Sequence, residues 1–558
     1  MVLLFFFLSF INTLLDSLAS SLVITAVGGG TAVIPFLTVY AVWPTSFIFL
    51  ILYSLATQRF SRGTLFNMVI ATFMTWFVAF ALLYPHHETI HFHGFAQDTL
   101  KTLPSGLAGA VGMVRNWMFT LFYVAAEMWG DVVLSLLFWG LANEMTSLQE
   151  APLLYPLFGV GANIGQTVSG KALSTFAAFA EHRMSYARQL QAMMALVLVF
   201  ACAVLGLHMY ITRRFPAIPA APLPEDGPAG EESLNGAEPS PEPWRLAAAP
   251  GEDVDSASSL GSSTAENGAV PDSSLSQRRM SSDSASTSSV AGAKGKGRGG
   301  KPSLREAFVY LTQSRQIRCL AVMALAQGLS TNLIEIAWKS HLHMLHPSPA
   351  AYSAFLGEVA TWTGIVTGTL MFASPALFTR WKWKGVAGAT PAFMLWTGVP
   401  FFVGCTLYNI AHPTQGVGTA ALRALVIVGA ILQVFAKGAK FSMFKPAEEM
   451  VYIGLDEQSR TKGKAAIDVA GAQTGKSIGS VLQQVLLVVS SGSLIKALPV
   501  MAVAYFAILR AWSRSVAHLA TMHICAFTHE GEDEGVVSEL NQKGIPEDAI
   551  LGELSPPA

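Results

Sequence analysis

The order of apolar and polar positions divides the chain into long hydrophobic runs joined by short polar turns. Six runs precede residue 213, at 2–26, 32–58, 63–85, 116–146, 152–180 and 188–212. Six more follow residue 304, at 317–344, 350–380, 384–411, 418–447, 460–491 and 493–512. Each has roughly the 20 residues a helix needs to cross the hydrocarbon layer of a bilayer. The pattern predicts an all-α polytopic membrane protein with 12 transmembrane helices in two six-helix halves. The first run lacks a positively charged leader and is too long for a signal peptide, so it reads as the first span.

Between the halves lies a stretch of Pro, Ser, Gly and Ala with few aromatic residues, including Pro239–Pro243 and Ser281–Ser289. Such a composition cannot bury enough apolar surface to fold. The expected organisation is a bundle at 1–212, a disordered linker at 213–304, a second bundle at 305–512 and a polar tail at 513–558. From about residue 526, with Glu530, Glu532, Asp533 and Glu534, the tail is expected to be loose. A short echo links the halves: Gly161-Ala-Asn-Ile-Gly165 and Gly471-Ala-Gln-Thr-Gly475 each occupy a fifth run. Small residues at that spacing let helix backbones approach closely.

Composition narrows the class. Charged residues make up 13% of the 558 positions, about half the share that coats soluble proteins. Net charge is −1, which supplies no basic stripe for nucleic acid. The four cysteines are far apart and form no metal or disulfide framework. The histidines of His86–His93 read as a wet loop, and no cofactor is expected. Short-loop Lys and Arg fall after the second run (Arg59, Arg62), after the eighth (Arg380, Lys382, Lys384) and in the linker. The positive-inside rule then places both termini and the linker on the cytosol-like side.

Charges inside the apolar runs are the informative feature, because each costs about 2.5–3.5 kcal/mol at a helix centre unless it faces a cavity or a partner. Glu127 and Asp131 lie four apart on one face of the fourth run. Glu335 and Lys339 of the seventh have the favourable i, i+4 order for an ion pair. The tenth carries Lys437 and Lys440; the eleventh carries Lys464, Asp468 and Lys476. Arg115, Lys171, Lys437 and Lys464 stand close to run ends, where long side chains reach the interface. Lysines and arginines among aromatic side chains suit an organic anion carrying phosphate. Ala470–Ser477 fits the loosest form of a phosphate-binding loop. It lacks the preceding strand that such a loop requires and reads instead as part of a helix.

Several blocks resemble the non-mitochondrial ATP/ADP translocases of plastids and obligate intracellular bacteria. They are Leu121–Gly130, Leu136–Asn143, Tyr155–Asn163, Asn332–Ser340, Tyr352–Gly357, Thr363–Thr367, Glu449–Glu457 and Lys462–Ser477. The resemblance implies a major-facilitator-like carrier that exchanges nucleoside phosphates by alternating access through a basic central cavity. It implies residence in a plastid, other organelle or cell membrane. It assigns importance to Glu127, Glu335 and Lys464 or Lys476; Arg115, Lys339, Lys440 and Asp468 complete the candidate set. Two family lysines are replaced, by Ala19 in the first span and Val27 just after it, and a family Asp is Lys445. Proton-coupled carriage of another organic anion, with Asp16 and Glu335 as proton sites, is the alternative. A receptor or scaffold that kept the fold without transport is another.

Overall fold

The computed structural model describes residues 1–146, 150–180, 183–215, 315–412, 420–453 and 474–542. All regular structure among these residues is helical. In chain order the helices are α1 (Val2–Thr25), α2 (Thr31–Thr57), α3 (Arg62–Ile90), two short helices α4 (His93–Thr102) and α5 (Ala108–Arg115), and α6 (Trp117–Met145). They continue with α7 (Ala151–Ala180), α8 (Tyr186–Arg214), α9 (Arg315–Leu345) and α10 (Pro349–Ala411). The last three are α11 (Ala420–Tyr452), α12 (Thr474–Val489) and α13 (Leu494–Gln542).

Among the described residues nine helices are long and apolar enough to cross a bilayer. One of these, α10, has 63 residues, about 95 Å at the helical rise and three times the hydrocarbon thickness. Lys382, at φ 57°, breaks it, so its two arms fold back where the sequence places the turn between the eighth and ninth runs. α7, with 30 residues, has the length to span. The expected eleventh run lies outside the described residues as far as 473 and is helical from Thr474. Alternation of helix direction puts the Arg59–Arg62 turn, the Lys382 break, Arg214 and Arg315 on one face, the basic face. The cluster His86–His93 and His346 lie on the opposite, histidine-bearing face.

The final helix departs from expectation. It runs past residue 512, and Trp512, Val516, Leu519 and Ala520 are buried at helical spacing. Arg510 and Arg514 on its exposed side lower the local hydropathy without interrupting the apolar face. The tail beyond 526 is helical to Gln542.

One buried apolar cluster is drawn from α1 to α8, between Leu4 and Ile211. A second is drawn from α9 to α13, joined by Ile24 and Phe36 of the first half. Small residues set how closely helices approach. Gly161 faces Val2 and Gly165 faces the Phe6 carbonyl, so α7 lies directly on α1, as the first glycine echo predicts. Gly170 meets Gly357, and Gly364 meets Thr167 and Asn163, bringing α7 of one half against α10 of the other. Among the described residues three π-helical segments interrupt the spans: Thr38–Val42, Trp129–Phe138 and Lys440–Phe444. Such segments gather at functional sites because they re-aim the side chains that follow.

Candidate functional site

A cavity of about 250 Å³ lies between the halves. The first half contributes Asn12 and Asp16 from α1, Ile34 and Thr38 from α2, and Tyr123, Glu127 and Asp131 from α6. The second contributes Asn332, Glu335 and Lys339 from α9, Lys437 from α11 and Gln483 from α12. Helical period explains the selection: Asn12 and Asp16, Glu127 and Asp131, and Glu335 and Lys339 are each four apart, stacked on one helix face.

The electrostatic centre is Glu335. Lys339 Nζ stands 2.8 Å from its Oε1, and Lys437 Nζ 3.9 Å from the same oxygen. Lys339 is the deeper lysine, with its side chain 8% exposed against 42% for Lys437. It also donates to Ser20 Oγ at 3.0 Å, which ties α9 to α1 across the halves. The paired carboxylate offsets the desolvation of a buried ammonium. Gln483 Nε2 donates to the Asn332 carbonyl at 3.2 Å and to Asn332 Oδ1, fixing the amide wall between α9 and α12.

The structure brings together Glu127, Glu335 and Lys339 of the sequence-derived candidates. Lys437 joins them, although the sequence groups it with helix-end charges. Asn12, Thr38 and Gln483 carry no sequence signal as single residues, being neutral side chains spread over three helices. Arg115 does not reach the cavity, a correction to its place among the substrate-binding candidates. The helix breaks at Asn116 (φ −98°, ψ 46°), so Arg115 ends the separate helix α5 instead of opening α6. Its Nε donates to His93 Nδ1 at 3.1 Å. Lys440 is likewise outside the lining: it begins a π-helical segment and stands 5.4 Å from the Phe441 ring. Lys464 and Asp468 lie outside the described residues, as does the side chain of Lys476.

Among the described lining residues four carboxylates (Asp16, Glu127, Asp131, Glu335) face two ammonium groups. The basic character expected of the cavity is therefore not supplied by these residues. Ala19, where the resemblance expects lysine, is buried in the first-half core, and Val27 is exposed. At the α7–α10 contact, Lys171 pairs with Glu358 at 2.9 Å, so this lysine, expected near a helix end, lies inside α7 and bridges the halves.

Apolar spanning helices in two groups, with ionised side chains from both groups around one chamber, define a membrane transporter. The chain belongs to the TLC ATP/ADP transporter family, whose pattern matches residues 1–221 and 276–523. It is 33% identical over 535 residues to ADP,ATP carrier protein 1 of Chlamydia muridarum, covering 94% of this chain and 88% of that one. It is 34% identical over 517 residues to the chloroplastic ADP,ATP carrier protein 1 of Arabidopsis thaliana, covering 91% and 71%. The plastidic ATP/ADP-transporter of Solanum tuberosum is 32% identical, covering 97% and 74%. Among solved structures, a point mutant of the nucleoside transporter NupG covers 92% of this chain and 99% of its own at 11% identity, with a TM-score of 0.48.

Proposed function

We propose that this protein is a nucleotide antiporter, exchanging ATP for ADP or related nucleoside phosphates by alternating access of the cavity to the two sides of the membrane. The observation that carries this reading is the Lys339–Glu335–Lys437 group in a chamber walled by both halves, in a chain whose relatives are named ADP,ATP carriers. The Glu335 carboxylate is shared between Lys339 and Lys437. A phosphate entering the chamber competes with Glu335 for the same ammonium groups, and the exchange of partners couples binding to rearrangement of α9 against α11. The sequence candidates Lys464, Asp468 and Lys476 are proposed to bind the same substrate. The architecture is major-facilitator-like, the two halves being 1–212 and 305–512 joined by the linker 213–304. Both termini and the linker face the cytosol-like side of a plastid, other organelle or cell membrane.

Proteoliposomes preloaded with ADP are expected to take up labelled ATP far faster than empty ones. Equal uptake removes obligatory exchange, and no uptake of any nucleoside phosphate overturns the reading. The excess of carboxylates along the described lining favours one second reading, a proton-coupled carrier of another organic anion with Asp16 and Glu335 as proton sites. Uptake driven by a pH jump and insensitive to a panel of competing nucleotides would select it.

A further inference from the structure

On the histidine-bearing face, α5 packs on the first half, and the turn that leads into it also touches the second. Gly109 lies against Ala32 and Phe36, and Gly112 against Gly28 and Val33. Leu107, Ala110 and Met113 pack on the cluster in which Ile24 and Phe36 join the second half. The turn before α5 rests on the end of α12: Val488 backbone fills the place of a Gly106 Cβ, and the Ser105 carbonyl that of a Gly492 Cβ. Gly492, at φ 79°, tolerates this approach because it carries no side chain. α5 with this turn is thus a wedge whose leading end meets the second half on that face.

The other end of the wedge is held by histidines. Arg115 Nε donates to His93 Nδ1 at 3.1 Å, and the Phe92 N–H donates to the Arg115 carbonyl at 3.1 Å. His91 is 7% exposed and its Nε2 makes no hydrogen bond. Its ring meets Phe119 edge-on at 4.7 Å, with the His87 ring at 5.6 Å and the His93 ring at 6.0 Å. Beyond His87 stand Tyr84, whose carbonyl contacts His87 Nδ1 at 2.7 Å, then Tyr186 of α8, with Glu88 acting on Tyr84. The charges acting on His91 are those of His87, His93 and Arg115.

Adding a proton disrupts this arrangement twice. His93 accepts from Arg115 only while Nδ1 is bare; protonated, it presents a donor to a donor. His91 would become a cation buried beside Arg115 without an acceptor. We propose that His91 and His93 form a proton-operated latch: acid on the histidine-bearing face frees α5 from the second half and opens the cavity to that compartment. The sign follows from His91. Burial first, and then His87, His93 and Arg115, push it down from the ordinary 6.5 to about 4 in the latched state. The latched form is therefore fully favoured above pH 6.5 and loses ground as pH falls from there toward 4. Each proton taken up moves the latched-to-open ratio by up to about tenfold per pH unit.

The test needs no nucleotide, so its failure and that of the transport reading are distinguishable. Spin labels at Thr102→Cys and Lys496→Cys, with Cys202, Cys319, Cys405 and Cys525 replaced by Ala, report the separation of the two sides of the wedge in lipid nanodiscs. Between pH 7.5 and 5 the long-distance population is expected to grow severalfold. That growth should shrink in His91→Phe, which keeps a ring against Phe119, and in His93→Asn, which keeps an acceptor for Arg115, and vanish in the double variant. Should one variant fail to fold, the other gives the reading. Identical distance distributions at both pH values, or undiminished growth in a folded variant, overturn the proposal.

Discussion

Replacing Glu335 by glutamine keeps the shape of the side chain and removes the charge that two lysines share. Breaking a fully buried ion pair costs about 3–5 kcal/mol, because the remaining charge is left without compensation. Here Lys339 is nearly buried, while the Glu335 side chain is 30% exposed to the chamber, so the loss falls to about 2–3 kcal/mol. Scaled to a chain of this length, each kcal/mol lowers the melting temperature by roughly 1–2 °C. The purified Glu335→Gln protein should therefore melt about 2–6 °C below the parent. The double variant Glu335→Gln/Lys339→Met leaves no buried ammonium without its carboxylate and should melt no lower than the single variant, recovering part of that loss even though Ser20 loses its donor. ATP uptake should fall at least tenfold in both. Melting temperatures that drop additively from single to double variant would refute the claim that Glu335 compensates Lys339.

Ser20→Ala removes the hydroxyl that accepts from Lys339 and should cost about 1.5–3 kcal/mol, the worth of a hydrogen bond to a charged group, read as a lower melting temperature. Lys437→Gln, at the more exposed lysine, should leave stability within about 1 kcal/mol while raising the concentration of ATP needed for half-maximal uptake. Gly170→Val places a branched side chain against Gly357 and Thr361; the overpacking should cost about 1–3 kcal/mol and slow uptake, measured side by side with surface expression.

The sequence makes legible what depends on a single helix. Helical spacing pairs Glu335 with Lys339, and the Arg380–Lys384 cluster marks the turn at Lys382. The close face of Gly161 and Gly165 can also be read from spacing. Legibility stops where a property belongs to several helices at once. Ser20 becomes a ligand of Lys339 only because α1 and α9 meet, 319 positions apart. Asn12 and Gln483 are unremarkable until three helices converge. Arg115 escapes the reading for a different reason: a single residue at Asn116 leaves helical geometry, and neither hydropathy nor charge registers that break. The length of α13 escapes it because a window average mixes its arginine side with its buried side.

The π-helical segment Trp129–Phe138 carries Asp131 within it and follows directly on Glu127. Its wide turns hold extra backbone, so the angular relation between α6 before and after this stretch is set by residue count and not by rotamer choice. Deleting one residue here would take out part of that extra backbone and let the chain relax toward ordinary α-helix. Point substitutions can only retouch the chamber wall; a one-residue deletion would change the pitch of α6 just beyond Glu127 and so re-aim Asp131.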